Sequence, residues 1–153
     1  MPTFTLLLGG NIGEVARTFD AATDLIGQHV GRVVARSRDH RTEPWGIHGV
    51  PEFLNRALEV HTDETPSAVM RKLLAVENTM GRQRSGDRYA SRTLDIDILF
   101  VDDRLLQLPE LTVPHPRVHQ RAFALAPVAD ISPALRHPVL GLTIMELLDQ
   151  VVP

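Results

Sequence analysis

Residues 94–99 of this 153-residue chain read Leu-Asp-Ile-Asp-Ile-Leu, and no other segment limits the fold as strongly as this alternation of apolar and acidic side chains. Successive side chains of a β-strand point to opposite faces, so Asp95 and Asp97 share one face, and Leu94, Ile96 and Ile98 share the other, core-facing side. Such strands are typical of antiparallel sheets with one face in the core and the other half exposed. Residues 94–101 are therefore predicted to form a strand of an antiparallel sheet.

Apolar periodicity predicts the remaining elements in the same way. Predicted strands cover residues 3–8, 30–37 and 53–62, predicted helices cover residues 15–26, 65–81, 117–128 and 143–151, and residues 105–113 are predicted to form a short hairpin. Residues 40–50 and 82–92 are predicted to be loops. The order strand, helix, strand, strand, helix, strand predicts an α+β, ferredoxin-like βαββαβ core, with a mainly antiparallel sheet, helices on one face and C-terminal additions, in a single domain over residues 1–153.

Composition narrows the functional classes. The chain has 43% hydrophobic residues, a net charge of −3 and no cysteine, which excludes disulfides, thiolate metal sites and a cysteine nucleophile. No apolar stretch is long enough to span a membrane, and residues 1–10 lack the basic lead of a secretion signal. A cytoplasmic protein without a membrane partner is expected.

The cationic side chains restrict how this chain could handle phosphate. Lys72 is the only lysine among sixteen Lys and Arg residues, and it lies in the middle of a predicted helix. A P-loop needs a lysine directly after a glycine at the start of a helix, so this nucleotide-binding motif is excluded. Phosphate chemistry would have to use metal ions and arginine, whose planar guanidinium binds phosphate oxygens through two donors.

A loop rich in arginine precedes the acidic strand. Its cationic residues are Arg82, Arg84, Arg88 and Arg92. The Cα atoms of Asp95 and Asp97 would lie about 6.5–7 Å apart, close enough to hold one Mg²⁺ or to bracket two, and arginines in a mobile loop could close over a polyphosphate. The alternative is a solvated acidic strand face beside a basic loop that water and nearby acids neutralise. Spacing alone leaves both interpretations open.

A second cluster with chemical potential surrounds His115, which lies between Pro114 and Pro116. The prolines restrict the backbone, so the imidazole is predicted to be a positioned donor or base. His119 follows four residues later, but Pro116 argues against one helix carrying both histidines, and a zinc site is not expected. The remaining histidines are predicted to be surface or structural residues: His29, His40, His48, His61 and His137.

Two aromatic residues and an amide could form a pocket for a flat ring. Phe53 and Asn55 share a face of one predicted strand, and Phe123 comes from a later helix. Stacking aromatics with a few polar contacts bind heterocycles, although two core phenylalanines would give the same pattern. Glu77 lies at the edge of the apolar stripe of its predicted helix, where a carboxylate needs a partner or a ligand.

With these segments in order, the chain resembles the 6-hydroxymethyl-7,8-dihydropterin pyrophosphokinases. The matching motifs run from residue 5 to about residue 133 in the order of the family: Leu8-Gly9-Gly10-Asn11-Ile12-Gly13, Arg41-Thr42-Glu43-Pro44-Trp45-Gly46, Pro51-Glu52-Phe53-Leu54-Asn55, Met80-Gly81-Arg82-Gln83-Arg84, Arg92-Thr93-Leu94-Asp95-Ile96-Asp97-Ile98-Leu99, Pro114-His115-Pro116-Arg117 and Arg121-Ala122-Phe123. The resemblance implies transfer of diphosphate from ATP to the hydroxymethyl group of a reduced pterin in folate biosynthesis, giving AMP and the pterin diphosphate.

The resemblance also implies site residues. Asp95 and Asp97 would bind two Mg²⁺ ions. The residues implied in catalysis are Arg82, Arg84, Arg92 and His115. The residues implied in ATP binding are Glu77, Arg82, Arg84, Arg92, Ile98, His115 and Arg121. The residues implied in pterin binding are Thr42, Pro44, Trp45, Phe53, Asn55, Tyr89 and Phe123. The expected partners are ATP and the reduced pterin, with no nucleic acid, and the expected state is a monomer.

Three positions depart from the family pattern. Gly10 stands where serine is usual, His40 where tyrosine is usual, and Tyr89-Ala90-Ser91 where Trp-Gly-Pro is usual. Because glycine and proline set backbone conformation, the last change is expected to shift the closing equilibrium of the loop without changing the substrate. A paralogue that binds pterin without turnover is the nearest alternative.

Two alternatives come from other functional classes. An RNA-binding module on a ferredoxin-like fold would expose aromatic residues on its sheet, but aromatics are only 5% of this chain and its net charge is negative. A two-metal phosphodiesterase would need more metal-binding carboxylates or histidines than the acidic strand supplies.

Overall fold

The structure, a computed structural model, describes residues 1–42, 53–81 and 94–151. The strands are β1 (Thr3–Gly10), β2 (Arg32–Arg36), β3 (His40–Thr42), β4 (Phe53–His61), β5 (Asp95–Val101), β6 (Leu106–Leu108) and β7 (Leu111–Val113). The helices are α1 (Val15–His29), α2 (Pro66–Gly81), α3 (Ala122–Ile131) and α4 (Ile144–Val151), with a 3₁₀ turn at Val118–Gln120. No helix within these ranges is both long and apolar enough to cross a bilayer.

The main sheet is antiparallel, and its strands follow the order β2, β4, β1, β5, with β3 paired to the end of β4. β6 and β7 form the separate hairpin that the sequence predicted. β1 thus lies between β4 and β5, which carry most of the predicted site residues. Mixed helices and an antiparallel sheet confirm the predicted α+β class.

The sheet is covered on both faces. On one face, Leu6, Leu58 and Ile98 pack against α1 and α2 through buried residues such as Phe19 and Leu73. On the other face, a second apolar cluster joins the sheet to α3 and α4: Leu7, Ala57, Leu99, Phe100, Leu125, Val128 and Leu147. The sequence predicted helices on one face only and gave no position for the C-terminal additions. In the structure, α3 and α4 form a second layer on the other face.

Several boundaries differ from the prediction, and three of the differences lie close to the predicted site residues. β1 continues through Gly9 and Gly10, which had been interpreted as a turn. His40–Thr42 forms a strand, although the sequence predicted a loop there. The prediction missed this strand because three residues are too few to show an apolar periodicity. The helix predicted over residues 117–128 is interrupted at Arg121, whose backbone is extended between the 3₁₀ turn and α3.

The C-terminal helix begins as predicted. The Thr143 hydroxyl accepts a hydrogen bond from the Glu146 amide at 3.1 Å, and the Glu146 carboxylate accepts one from the Thr143 amide at 2.8 Å. This reciprocal capping box satisfies two amides that the first turn of a helix leaves without partners. It starts α4 so that Ile144 and Leu147 are buried against the sheet.

Candidate active site

One row of residues crosses three strands at the end of the sheet where β1 finishes. Gly9 on β1 lies directly opposite Asn55 on β4 and directly opposite Asp95 on β5. Residues opposite each other in antiparallel strands project from the same face, so Asn55 and Asp95 point to the side on which α3 and α4 lie. In the next row, Leu7 lies between Ala57 and Asp97. The predicted amide of the ring pocket and both predicted metal ligands therefore share one face at one end of the sheet.

Gly9 makes room for the side chain of Asn55, which lies against its backbone. A Cβ atom on Gly9 would lie 2.8 Å from Nδ2 of Asn55, closer than side chains tolerate. The Asn55 side chain is buried, and its Nδ2 donates a hydrogen bond to the carbonyl of Leu8 at 3.4 Å. Sequence reasoning missed this role and interpreted Gly9 as a turn residue. A glycine inside a strand often marks a close approach of a ligand or backbone, and that signal could have revealed it.

The aspartate pair has the chemistry of a magnesium site. Asp97 is exposed, while Ile96 and Ile98 on either side of it are buried, so the strand holds its carboxylates away from the core. No group of three or more His, Cys, Asp or Glu side chains able to hold a metal exists in the described ranges. Mg²⁺ usually keeps several waters and binds one or two carboxylates together with substrate phosphates. Two aspartates on an open face fit that preference.

His115 lies beside this pair. Its backbone amide donates to the carbonyl of Leu99 on β5 at 2.9 Å, and its Nδ1 accepts from the Arg117 amide at 3.1 Å. Burial lowers the pKa of His115, the negative charge of Asp97 acts in the opposite direction, and the positive charges of Arg121 and Arg117 lower it further. The neutral ring, with Nδ1 accepting, carries its hydrogen on Nε2 and can donate it to an anion.

Of the remaining histidines, His137 and His119 lie close together in the structure. His137 is buried, and its Nδ1 accepts from the amides of Val139 and Leu140 at 3.2 and 3.1 Å, which confirms a structural role. The His119 ring lies against His137, with ring centroids 6.2 Å apart. His48 lies outside the described residues.

Aromatic residues border the row of Gly9 on the β4 side. Thr42 pairs with Phe53 at the start of β4, and Phe53 shares its face with Asn55 by alternation. α3 packs over β3 and β4, and its first turn carries Phe123, whose side chain is partly exposed. The guanidinium of Arg121 lies 5.4 Å from the Phe123 ring centroid.

Two residues that the resemblance linked to ATP have other surroundings. Ile98 is 3% exposed and packs in the core beneath α1 and α2, so its side chain points away from the aspartates. Any contact between ATP and this position would involve backbone atoms. Glu77 lies near the end of α2, and its carboxylate accepts a hydrogen bond from the Ile96 amide at 2.6 Å. This contact is the partner that the sequence analysis required for Glu77.

Several predicted residues lie outside the described ranges. They are Arg82, Arg84, Arg88, Arg92 and Tyr89, which precede β5, and Pro44 and Trp45, which precede β4. Their roles stay predictions, as does the effect of Tyr89-Ala90-Ser91 on loop closure.

The carboxylate of Asp130, which was not predicted from the sequence, connects α3 to β3. Asp130, near the end of α3, accepts hydrogen bonds from the backbone amide of Arg38 at 3.2 Å and from Nε2 of His40 at 2.8 Å. Burial acts to raise the pKa of Asp130, but the hydrogen bonds from His40 and Arg38 outweigh it and the pKa is lowered. The contact ties β3, which carries Thr42, to the helix that carries Phe123. No sequence signal links residues 90 positions apart in a single chain.

Comparison with known proteins identifies close relatives. Residues 5–133 match the sequence model of the 7,8-dihydro-6-hydroxymethylpterin-pyrophosphokinase (HPPK) family. The chain is 38% identical over 147 residues to the 2-amino-4-hydroxy-6-hydroxymethyldihydropteridine pyrophosphokinase of Methylorubrum extorquens, covering 95% of this chain and 91% of that protein. It is 39% identical over 132 residues to the enzyme of the same name from Pseudomonas aeruginosa, covering 86% and 81%.

Solved structures share the fold. The crystal structure of wild-type HPPK-DHPS from Plasmodium falciparum superimposes with a TM-score of 0.80 at 16% identity and covers 99% of this chain. The present chain spans 45% of that longer protein. From the family match and these relatives, we conclude that the chain belongs to the 7,8-dihydro-6-hydroxymethylpterin-pyrophosphokinase family and is a pyrophosphokinase of folate biosynthesis.

Proposed function

We propose that the row of Asn55, Gly9 and Asp95 is the floor on which this enzyme brings the reduced pterin and ATP together. The hydroxymethyl oxygen of 6-hydroxymethyl-7,8-dihydropterin attacks the β-phosphorus of ATP and loses its proton, and the bond between the α- and β-phosphoryl groups breaks to release AMP. No covalent enzyme intermediate is required, because alignment and charge neutralisation supply most of the rate enhancement in phosphoryl transfer.

The pterin lies on the β4 side of the row. Phe53 and Phe123 stack on its two faces, Asn55 hydrogen-bonds its polar edge, and Thr42 contributes from β3, with Pro44, Trp45 and Tyr89 from the neighbouring segments. The position of α3 over β3 and β4, with Phe123 in its first turn, supports this orientation. The hydroxymethyl group then points over Gly9 towards the aspartates.

The triphosphate lies on the β5 side. Asp95 and Asp97 would hold two Mg²⁺ ions, which would neutralise the negative charge of the triphosphate and so allow the hydroxymethyl oxygen to approach the β-phosphorus. His115 donates its Nε2 hydrogen to a phosphate oxygen, and Arg121 binds a second. Burial and the neighbouring arginines lower the pKa of His115, which keeps the ring neutral at pH 7 and supports a donor role. Arg82, Arg84 and Arg92 close over the nucleotide and stabilise the charge on the transferred group.

The pairing of Gly9 with both Asn55 and Asp95 carries this proposal. Neighbouring strands lie about 4.8 Å apart, so Asn55 and Asp95 are attached to strands about 9.5 Å apart, and the residue between them has no side chain. This gap leaves room for the reacting groups.

The test is pterin-dependent AMP formation. The protein is incubated with ATP, Mg²⁺ and 6-hydroxymethyl-7,8-dihydropterin, and AMP is quantified for the wild type, Asp97→Ala and Asp103→Ala. Asp103 is an exposed carboxylate in the turn after β5 and serves as the matched control. We expect AMP only with pterin, near-complete loss in Asp97→Ala and wild-type rates in Asp103→Ala.

Two outcomes would reject the mechanism. ADP in place of AMP would mean transfer of a single phosphoryl group, and full activity of Asp97→Ala would remove the acidic strand from the reaction. Pterin binding without any turnover would favour the inactive paralogue.

The topology of the core, the location of the protein and its oligomeric state are part of the same proposal. The strand order β2, β4, β1, β5, with α1 and α2 on one face, supports a ferredoxin-like βαββαβ core in a single domain. The absence of cysteine supports a cytoplasmic location. We expect a monomer, which light scattering of the purified protein would test.

A further inference from the structure

Glu77 joins α2 to the strand that carries both aspartates. Its Oε2 atom accepts a hydrogen bond of 2.6 Å from the backbone amide of Ile96, the residue between Asp95 and Asp97. Glu77 lies four residues before the end of α2 at Gly81. The contact therefore joins the two elements that precede and follow residues 82–93 along the chain.

The strand needs such a contact because of its position. Among the residues that the structure describes, β5 is the last strand in the order of the main sheet, and its one partner strand is β1. Alternate residues of an antiparallel strand direct their amides to opposite sides, so the amide that Glu77 accepts points away from β1. Backbone groups on an outer strand lack a ladder on that side, and a charged acceptor forms a stronger hydrogen bond than a neutral one.

We propose that Glu77 is a positioning residue that fixes the backbone between the two aspartates and so sets the direction of both carboxylates. The inference rests on the proposed function, in which Asp95 and Asp97 hold the metal ions. It gives Glu77 a different role from the ATP contact that the family resemblance implied: the side chain acts on metal binding through β5, without touching the nucleotide.

The side chains around this contact explain how the effect reaches the aspartates. Ile96 is 5% exposed and packs in the core shared with Val76 of α2, which holds its side chain in place. Core packing fixes one side of the Ile96 peptide and Glu77 holds the amide. Without the carboxylate, the peptide can rotate, and the two flanking side chains rotate with it.

The first test uses three variants of the nucleotide-free and metal-free protein. Glu77→Ala removes the acceptor, Glu77→Gln keeps an oxygen at the same length, and Thr79→Ala is the matched control, because the Thr79 hydroxyl donates to Ala75 of its own helix. We expect the Ile96 amide, followed by NMR hydrogen exchange, to exchange at least about tenfold faster in Glu77→Ala, since a hydrogen bond to a charged group is lost. Glu77→Gln and Thr79→Ala should stay near the wild type.

The second test separates positioning from nucleotide contact. Binding of a non-hydrolysable ATP analogue is measured once with Mg²⁺ and once with EDTA. In a separate assay with ATP and 6-hydroxymethyl-7,8-dihydropterin, the Mg²⁺ concentration that gives half-maximal AMP formation is measured. We expect Glu77→Ala to raise that concentration about tenfold and to weaken analogue binding only when Mg²⁺ is present, with Glu77→Gln restoring most of the loss. Equal weakening in EDTA, or unchanged Mg²⁺ dependence, would overturn the positioning role.

The two proposals fail in different ways. If Asp97→Ala still forms AMP, the proposed function of the acidic strand is wrong whatever Glu77 does. If Asp97→Ala is inactive and Glu77→Ala keeps wild-type Mg²⁺ dependence, only the positioning role is wrong. If Glu77→Ala does not fold, Glu77→Asp takes its place, because its carboxylate is one methylene shorter and should lose the contact with the Ile96 amide, giving the same faster exchange and the same raised Mg²⁺ requirement.

Discussion

Replacement of Gly9 by alanine would put a methyl group 2.8 Å from Nδ2 of Asn55. The buried Asn55 side chain would have to move, and the contact with pterin that we propose for it would change as well. We expect Gly9→Ala to raise the KM for pterin about tenfold, equivalent to about 1.4 kcal/mol, with a smaller change in the KM for ATP. Steady-state kinetics with each substrate varied in turn would measure both constants.

Gly27→Ala is the control for this substitution. A Cβ atom there would meet its nearest neighbour at 4.0 Å, in an exposed position of α1. Alanine in a helix is about 0.5–1 kcal/mol more stable than glycine, so this variant should melt at a higher temperature with unchanged kinetics. An unchanged pterin KM in Gly9→Ala would show that the floor tolerates a methyl group.

The pKa of His115 should depend on the charge of Asp97. Burial lowers its pKa below the ordinary value of 6.5, while Asp97 acts to raise it. Asp97→Asn removes the negative charge that favours the imidazolium, so the pKa of His115 should fall further in the metal-free protein. An NMR titration of the ring resonances in the wild type, Asp97→Asn and Asp103→Asn would test this, and a higher pKa in Asp97→Asn would contradict it.

The pKa of His115 also has a defined effect on stability. A ring with a folded-state pKa below 6.5 binds its proton less readily than in the unfolded chain. The stability associated with the neutral ring is therefore fully present above pH 6.5 and is lost as the pH falls through the folded pKa.

Some of the site could be predicted from single residues and some could not. The alternation around Asp95 and Asp97 predicted their shared face correctly, because period two is a local property of a strand. The role of Gly9 depends on which residues of β4 and β5 lie opposite it, and register is a property of pairing between distant segments. The partner of Glu77 is a backbone amide, which carries no signature in the sequence.

Among the elements, long periodic segments were predicted best. β4 and β5 agree with the prediction to within one residue at each end. β3 was missed because it has three residues, and the interruption at Arg121 was missed because apolar periodicity does not reveal one extended residue between two helical turns. The covering of the second sheet face was also missed, since an apolar helix does not specify the face on which it packs.

The contact of Asp130 with β3 predicts a connection between two elements. Asp130→Asn should weaken the attachment of β3 to α3, destabilise the protein by about 0.5–1 kcal/mol after solvent screening and raise the KM for pterin more than that for ATP. Chemical denaturation and kinetics would measure these effects. Asp149→Asn, an exposed position on α4, is the matched control.

The pH dependence of this effect has a definite sign. The pKa of Asp130 is lowered in the folded protein, so the contribution of its carboxylate is complete above the ordinary value of 3.8 and is lost as the pH falls through the folded pKa. The hydrogen bonds from His40 and Arg38 are what lower this pKa. A stability difference between the wild type and Asp130→Asn that grows on acidification would contradict this assignment.

In the molecule as a whole, the two faces of the sheet are covered by different pairs of helices. α1 and α2 cover one face with a continuous core, whereas α3 and α4 cover the other next to an end where Asp97 remains exposed. The sequence predicted the class of the fold, but this arrangement depends on where the C-terminal helices pack.

Nucleotide binding should therefore stabilise the entire fold through β5. At an analogue concentration 100 times its Kd, binding adds about 2.7 kcal/mol, which corresponds to a rise in Tm of roughly 5–10 °C for a chain of this size. We expect this rise with a non-hydrolysable ATP analogue and Mg²⁺ in the wild type and not in Asp97→Ala. Thermal denaturation followed by circular dichroism measures it, and an equal rise in Asp97→Ala would contradict metal binding by this strand.

The central position of β1 has a consequence for substrate selection. Asn55 and Asp95 are attached to different strands, and the hydrogen bonds of β1 to both neighbours hold them at a separation that side-chain motion does not change. A pterin with one more methylene before its hydroxyl would be anchored at the same amide, and its oxygen would pass beyond the phosphorus. In the proposed orientation, such a homologue should bind as an inhibitor and not react, because the pairing of β1 with both neighbours fixes the distance between the two strands.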